Sequence, residues 1–138
     1  MGPQKRLNDY LKEVADKPFK WGEHDCLTFT NEAWRRMYGH GWADDWLGRY
    51  MKPGGSPMRR QELQSEYGYW DFGRAVSDRL CPVEHVPPRG ALVATKKAQR
   101  WATGHALGIC NGIKCAFLSG GGVVYLPVDD IDKAWIEP

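Results

Sequence analysis

No stretch of the chain approaches the roughly 18 consecutive apolar residues that a membrane span requires. The opening residues, Met1 to Arg6, also lack the apolar run of a secretory signal. Synthesis in the cytoplasm without a signal peptide is therefore expected, with no membrane partner. Zinc spacing is absent as well: the four cysteines (Cys26, Cys81, Cys110, Cys115) form no CxxC, and no paired HxxxH occurs. No metal and no cofactor is expected. The cysteine count is even, but without a signal peptide the four read as thiols rather than disulfides. Charge of one sign is scarce too. The net charge is +2, and the arginines (Arg35, Arg36, Arg49, Arg59, Arg60, Arg74, Arg79) are scattered, which argues against a nucleic-acid partner. Neither repeats nor low-complexity segments appear.

What remains is an ordinary globular composition, 42% hydrophobic and 26% charged over 138 residues, enough for one domain with its own core. Seven tryptophans are the one unusual feature, suited to a groove or an interface but equally to a core. A single domain over 1–138 is expected, helical over 1–85 and β-rich over 88–138. Leu7, Tyr10, Leu11 and Val14 recur with helical spacing and predict a first helix ending near Asp16. A second helix is predicted from Asp25 to about Tyr38, stopped by Gly39-His40-Gly41. After the turn Lys52-Pro53-Gly54-Gly55-Ser56, the pair Ser56-Pro57 predicts the cap and first position of a third helix. A fourth is expected over Trp70 to Leu80.

Past Pro87-Pro88 the pattern turns to strands: Ala91 to Thr95, Ala106 to Cys110, Ile113 to Leu118, Val123 to Leu126, and Ala134 to Ile136. Helices first and hairpins last predict an α+β fold with an antiparallel sheet. Asn111-Gly112 reads as a type I′ turn. That turn pairs Cys110 with Ile113, Gly108 with Cys115 and His105 with Leu118. Ala106, Gly108, Cys110, Ile113, Cys115 and Phe117 then share one face, and His105, Leu107, Ile109, Ala116 and Leu118 the other. Cys110 and Cys115 meet only diagonally, which argues against a disulfide between them.

The candidate site begins at Cys26. Asp25 is a good N-cap, so Cys26 falls in the first helical turn, where unpaired N–H groups and the dipole favour a thiolate. Cys26, Phe29, Ala33 and Met37 share the helix face that must pack on the rest of the protein. A histidine on a facing strand would serve as its base. Of the four histidines, His40 lies in the helix exit, His85 in the Val83–Pro88 connector, and His24 just outside the helix. His105 opens a strand on a largely apolar face and is the best candidate.

Pro18-Phe19-Lys20-Trp21-Gly22-Glu23-His24-Asp25-Cys26-Leu27, then Arg49-Tyr50, then Gly90-Ala91-Leu92-Val93, then His105-Ala106-Leu107-Gly108-Ile109-Cys110-Asn111-Gly112 form an ordered set. Together they resemble the small phage tail proteins related to the NlpC/P60 cysteine peptidases. The resemblance covers nearly the whole chain, from Pro18 to Ala134-Trp135, with Trp-Gly-x-x-Asp-Cys as its most specific element. It implies a papain-like α+β fold, with Cys26 as nucleophile and His105 as base. It also implies amide hydrolysis in peptidoglycan stem peptides, no cofactor, and a place among other tail-tip proteins of the virion. The other reading it allows is a structural tail component that keeps the fold without the activity. In the peptidase pattern one apolar residue separates the histidine from the glycine. Here Ala106 and Leu107 do, so strict alternation puts His105 on the face opposite the usual one, and a β-bulge would be needed to turn it back. Ala91 stands where the family commonly has aspartate. Ser119 and Asn111 are the side-chain candidates for the third, orienting residue, and a backbone carbonyl would also serve.

Overall fold

A computed structural model describes residues 2–67, 72–97 and 105–138. Leu7, Tyr10 and Leu11 are buried on one side of α1 (Pro3–Glu13), as their spacing predicts. Helix α2 (Cys26–Tyr38) carries its apolar face inward through Cys26, Phe29, Ala33 and Met37, and Gly39 closes it in the left-handed conformation at φ 85°. Arg6 ties the two helices together by donating to the carbonyls of Arg36 and Met37 at α2's end.

The third helix, α3 (Arg60–Tyr67), starts later than Pro57. Residues 51 to 58 instead fold back on themselves. Lys52 N–H donates to Ser56 O, Met58 N–H donates to Tyr50 O, and Met51 pairs with Pro57. Backbone groups committed across that turn cannot open a helix. Helix α4 spans Phe72–Ser77 and ends short of Leu80. The expected start at Trp70 lies outside the described residues.

Six antiparallel strands follow among the described residues: β1 (Cys81–Val83), β2 (Leu92–Thr95), β3 (Ala106–Cys110), β4 (Lys114–Ser119), β5 (Gly122–Pro127) and β6 (Lys133–Ile136). They form one sheet in the order β1-β6-β2-β3-β4-β5. The α+β architecture with an antiparallel sheet is thus present. β1 has no counterpart in the sequence reading. It is only three residues long and contains Pro82, which a strand tolerates at a sheet edge.

One sheet face packs on the helices. Leu92, Ala94, Leu107, Ile109, Ala116, Leu118 and Trp135 join the core built on α1 and α2. The other face carries a second core of Ala91, Val93, Ala106, Cys110, Cys115, Phe117 and Ala134. The expected division of β3 and β4 into two faces holds, but the register does not. Gly108 pairs with Phe117, Ile109 with Ala116 and Cys110 with Cys115. Asn111 N–H bonds Lys114 O, so the two-residue loop is Gly112-Ile113 rather than Asn111-Gly112. Gly112 takes φ 107° at the first loop position, as a type II′ turn requires. Asn111 is kept out of the loop because its Oδ1 accepts the amides of Ile113 and Lys114. Moving the loop by one residue shifts the pairing by two, which preserves every face and leaves Ile113 exposed at the tip.

Candidate functional site

The approach to Cys26 is a tight hairpin. Lys20 N–H donates to His24 O and His24 N–H to Lys20 O, at 2.9 and 2.8 Å. Gly22 sits within it at φ 81°, a conformation that costs a residue with a Cβ, and the Met51 side chain occupies the space beside it. The chain then enters α2 through a complete capping box. Asp25 Oδ1 accepts the amides of Leu27 and Thr28, while Thr28 Oγ1 accepts the amide of Asp25. The second carboxylate oxygen accepts Gly22 N–H at 2.8 Å and the Tyr50 hydroxyl. Asp25 is fully buried, yet each oxygen is satisfied. Much of the Trp-Gly-x-x-Asp-Cys element is therefore explained by the physics of starting one helix.

Cys26 occupies the first turn of α2 and is 6% exposed. Its thiol meets the Leu107 amide of β3 as well as the amides of Cys26 and Leu27. The availability of Leu107 N–H follows from the sheet. Alternate β3 amides point toward β4, and the next rung beyond Gly108↔Phe117 would take Leu107 N–H to Leu118. The β3–β4 ladder ends at Gly108, and the Leu107 amide serves the sulfur. Against the expectation from helix-start position, the thiol is pushed up to about 12. Burial is the main cause and the Asp25 carboxylate the second, and together they outweigh the three amides that favour the thiolate. At neutral pH the resting sulfur is protonated.

His105 directly precedes β3, half-buried, with its Nε2 atom buried. The β2–β3 register runs unbroken from Leu92↔Ile109 to Thr95↔Ala106, so there is no bulge up to Ala106. None is required. Alternation carries His105 to the face of Leu107 and Ile109, and that face is the one packed on α2. His105 lies just outside β3, two residues before the Leu107 amide that meets Cys26.

The other candidates are placed elsewhere. His85 is exposed, and His40 is exposed with Nε2 3.3 Å from Glu137. Ser119 Oγ donates to Gly122 O, and Asn111 caps the β3–β4 loop, so both are engaged in turns. Trp42 is core, with Nε1 donating to Thr30 Oγ1. Trp46 stacks edge-on against it and lies under the Arg79 guanidinium. Trp21 is half-buried against Phe19. Tyr50 is the residue whose role sequence reasoning missed. Among the described residues, no group of three or more His, Cys, Asp or Glu could hold a metal ion.

The match to known families covers residues 2–136. The chain belongs to the DUF6950 family, a domain of unknown function. No curated protein and no solved structure matches it.

His24 gives one test of that site's surroundings. It is 3% exposed, packs edge-on against Phe29, and its Nε2 finds no hydrogen-bond partner among the described residues. Burial, then the Lys17 cation, lowers its pKa below 6.5 despite Asp25 nearby. Above pH 6.5 the ring is neutral in folded and unfolded chains alike. As pH falls below 6.5 the unfolded chain takes a proton first, so stability drops until the folded pKa is reached. His24→Phe should flatten this loss. Urea unfolding at pH 7.5 and 5.5 checks it: an equal drop in both proteins would show that His24 is not responsible.

Proposed function

We propose that this chain is a cysteine hydrolase of amide bonds, of the papain-like NlpC/P60 type, acting on peptidoglycan stem peptides from a phage tail tip. The observation that carries this reading is the meeting of Cys26, in the first turn of α2, with the Leu107 amide, two residues along from His105 on the same sheet face. In this reading His105 draws the proton from Cys26, and the thiolate attacks the substrate carbonyl to give an acyl-enzyme. The Cys26 backbone N–H, at a helix start where it has no intrahelical acceptor, helps hold the oxyanion before water releases the acyl group. The substrate class and the virion setting come from the sequence resemblance.

A second reading is favoured by a specific observation. The sulfur is buried and held neutral, with a carboxylate beside it. Such a thiol suits a tail protein that keeps the fold without the activity. Incubation with purified peptidoglycan separates the two. Wild type should release stem-peptide fragments, and Cys26→Ala and His105→Ala should each reduce release by at least about 100-fold, the low end for loss of a catalytic proton-transfer group. No release by wild type would leave the structural reading standing, and release that survives in Cys26→Ala would overturn Cys26 as the nucleophile.

A further inference from the structure

From the β3–β4 register we infer that Cys110 and Cys115 form a peroxide-oxidised dithiol, closing to a reversible disulfide across the hairpin. The two residues are direct cross-strand partners. The neighbouring pair, Asn111 and Lys114, carries the ladder hydrogen bond, so Cys110↔Cys115 is a non-hydrogen-bonded pair, in which side chains approach most closely. Such pairs place the Cα atoms about 4.5 Å apart, at the short end of the range that a disulfide spans. A bond there forms without backbone rearrangement but carries strain, and strained disulfides are the readily reduced ones.

The surroundings assign the two sulfurs different tasks. Cys110 is hydrogen-bonded to the Cys115 thiol, accepts the Gly112 amide at 3.4 Å and donates to the Pro87 carbonyl at 3.5 Å, and the Arg89 guanidinium lies nearby. The bond between the two sulfurs outweighs the opposing effect of burial and, with the Gly112 amide and the Arg89 cation, favours thiolate at Cys110 and holds Cys115 protonated. Both residues are buried, which selects a small oxidant over a protein one. Gly112, whose amide bonds the Cys110 sulfur, adjoins Ile113 at the exposed tip of the hairpin.

The chemistry balances with hydrogen peroxide as the oxidant. The Cys110 thiolate attacks one peroxide oxygen, the O–O bond breaks, and hydroxide leaves as Cys110 becomes a sulfenic acid. The Cys115 sulfur then attacks the Cys110 sulfur, the S–O bond breaks, and the released hydroxyl takes the Cys115 proton as water. Two electrons pass from the thiol pair to the peroxide.

Folded protein carrying Cys81→Ser, to remove the exposed thiol, is treated with hydrogen peroxide, blocked with N-ethylmaleimide under denaturing conditions, and digested with trypsin. Cleavage after Lys114 separates Cys110 from Cys115, so the disulfide appears as two joined peptides that dithiothreitol parts. In a Cys115→Ala variant the sulfenic acid on Cys110 has nothing to condense with, and dimedone should label it severalfold more than in wild type. Full maleimide labelling of both cysteines after peroxide would overturn the inference. Equal dimedone labelling with and without Cys115 would do so too.

Discussion

Replacing Asp25 with alanine is expected to lower the unfolding free energy by about 3–5 kcal/mol. Losing the N-cap alone costs about 1 kcal/mol, and up to ~2 in buried settings. More is lost here, because the carboxylate also accepts the Gly22 amide and the Tyr50 hydroxyl from outside the helix. A hydrogen bond to a charged group is worth about 1.5–3 kcal/mol, and donors left buried without an acceptor carry their own desolvation cost. These terms are not additive, so the range sits below their sum. Set against a typical total of about 5–15 kcal/mol, the loss is large. Urea unfolding monitored by tryptophan fluorescence measures it. Asp25→Asn keeps one acceptor oxygen and should cost clearly less. Tyr50→Phe should cost about 1.5–3 kcal/mol, the value of the charge-assisted bond to Asp25. A loss of under about 1 kcal/mol in Asp25→Ala would mean that the carboxylate does not organise this corner.

The same substitutions separate the two influences on Cys26. Asp25 is the second cause of the raised thiol pKa, after burial. Neutralising it in Asp25→Asn should lower the pKa from about 12 while leaving most of the elevation in place. Alkylation of Cys26 against pH in a Cys81→Ser background reads that shift. The first turn of α2 thus holds two opposed effects. The cap that fixes the cysteine's position also puts a negative charge next to it, and only an approaching base or an opened site lets the amides of Leu107, Cys26 and Leu27 prevail.

Features decided within a few residues were legible in the sequence. Helices α1 and α2 follow from apolar spacing and from Asp25 and Gly39 at the ends of α2, and the two faces of β3 and β4 follow from simple alternation. Features decided by partners far along the chain were not. Tyr50 matters through a bond to Asp25, 25 residues away, and no local spacing marks it. Pro57 looks like a helix start until the backbone pairing between 50–52 and 56–58 is known. The hairpin loop was misplaced by one residue because Asn111 has two uses in turns, and here its side chain caps the loop from outside. The thiol at a helix start was expected to be acidic, yet burial, a tertiary property, decides its state. The placement of Cys26 in the first turn of α2 was legible because it depends on the local cap. The face presented by His105 needed the knowledge of which side of the sheet the helices cover.

Gly108→Ala is expected to destabilise the protein by about 2–4 kcal/mol, although a single methyl group is added. The reason is space rather than backbone freedom, because Gly108 has no positive φ. A Cβ at this position would collide with the carbonyl oxygen of Ala116 on β4 and lie 2.6 Å from the Phe117 ring. The ring belongs to the directly paired residue and is wholly buried, so it has nowhere to retreat. The carbonyl belongs to the adjoining Ile109↔Ala116 pair and moves only if the strands part. Overpacking of a core commonly costs about 1–3 kcal/mol, and rigid backbone on one side takes this case to the upper end. Gly54→Ala is the control, since nothing lies within 4 Å of its added Cβ and its φ is not positive; it should change stability by less than about 1 kcal/mol. Because the ladder stops next to Gly108, forcing β3 from β4 would also shift the Leu107 amide relative to the Cys26 sulfur. Gly108→Ala should therefore raise the hydrogen-exchange rate of the Ile109 amide and alter Cys26 alkylation together. Destabilisation of the expected size with Cys26 reactivity unchanged would show that the contact between sheet and sulfur survives a strained hairpin.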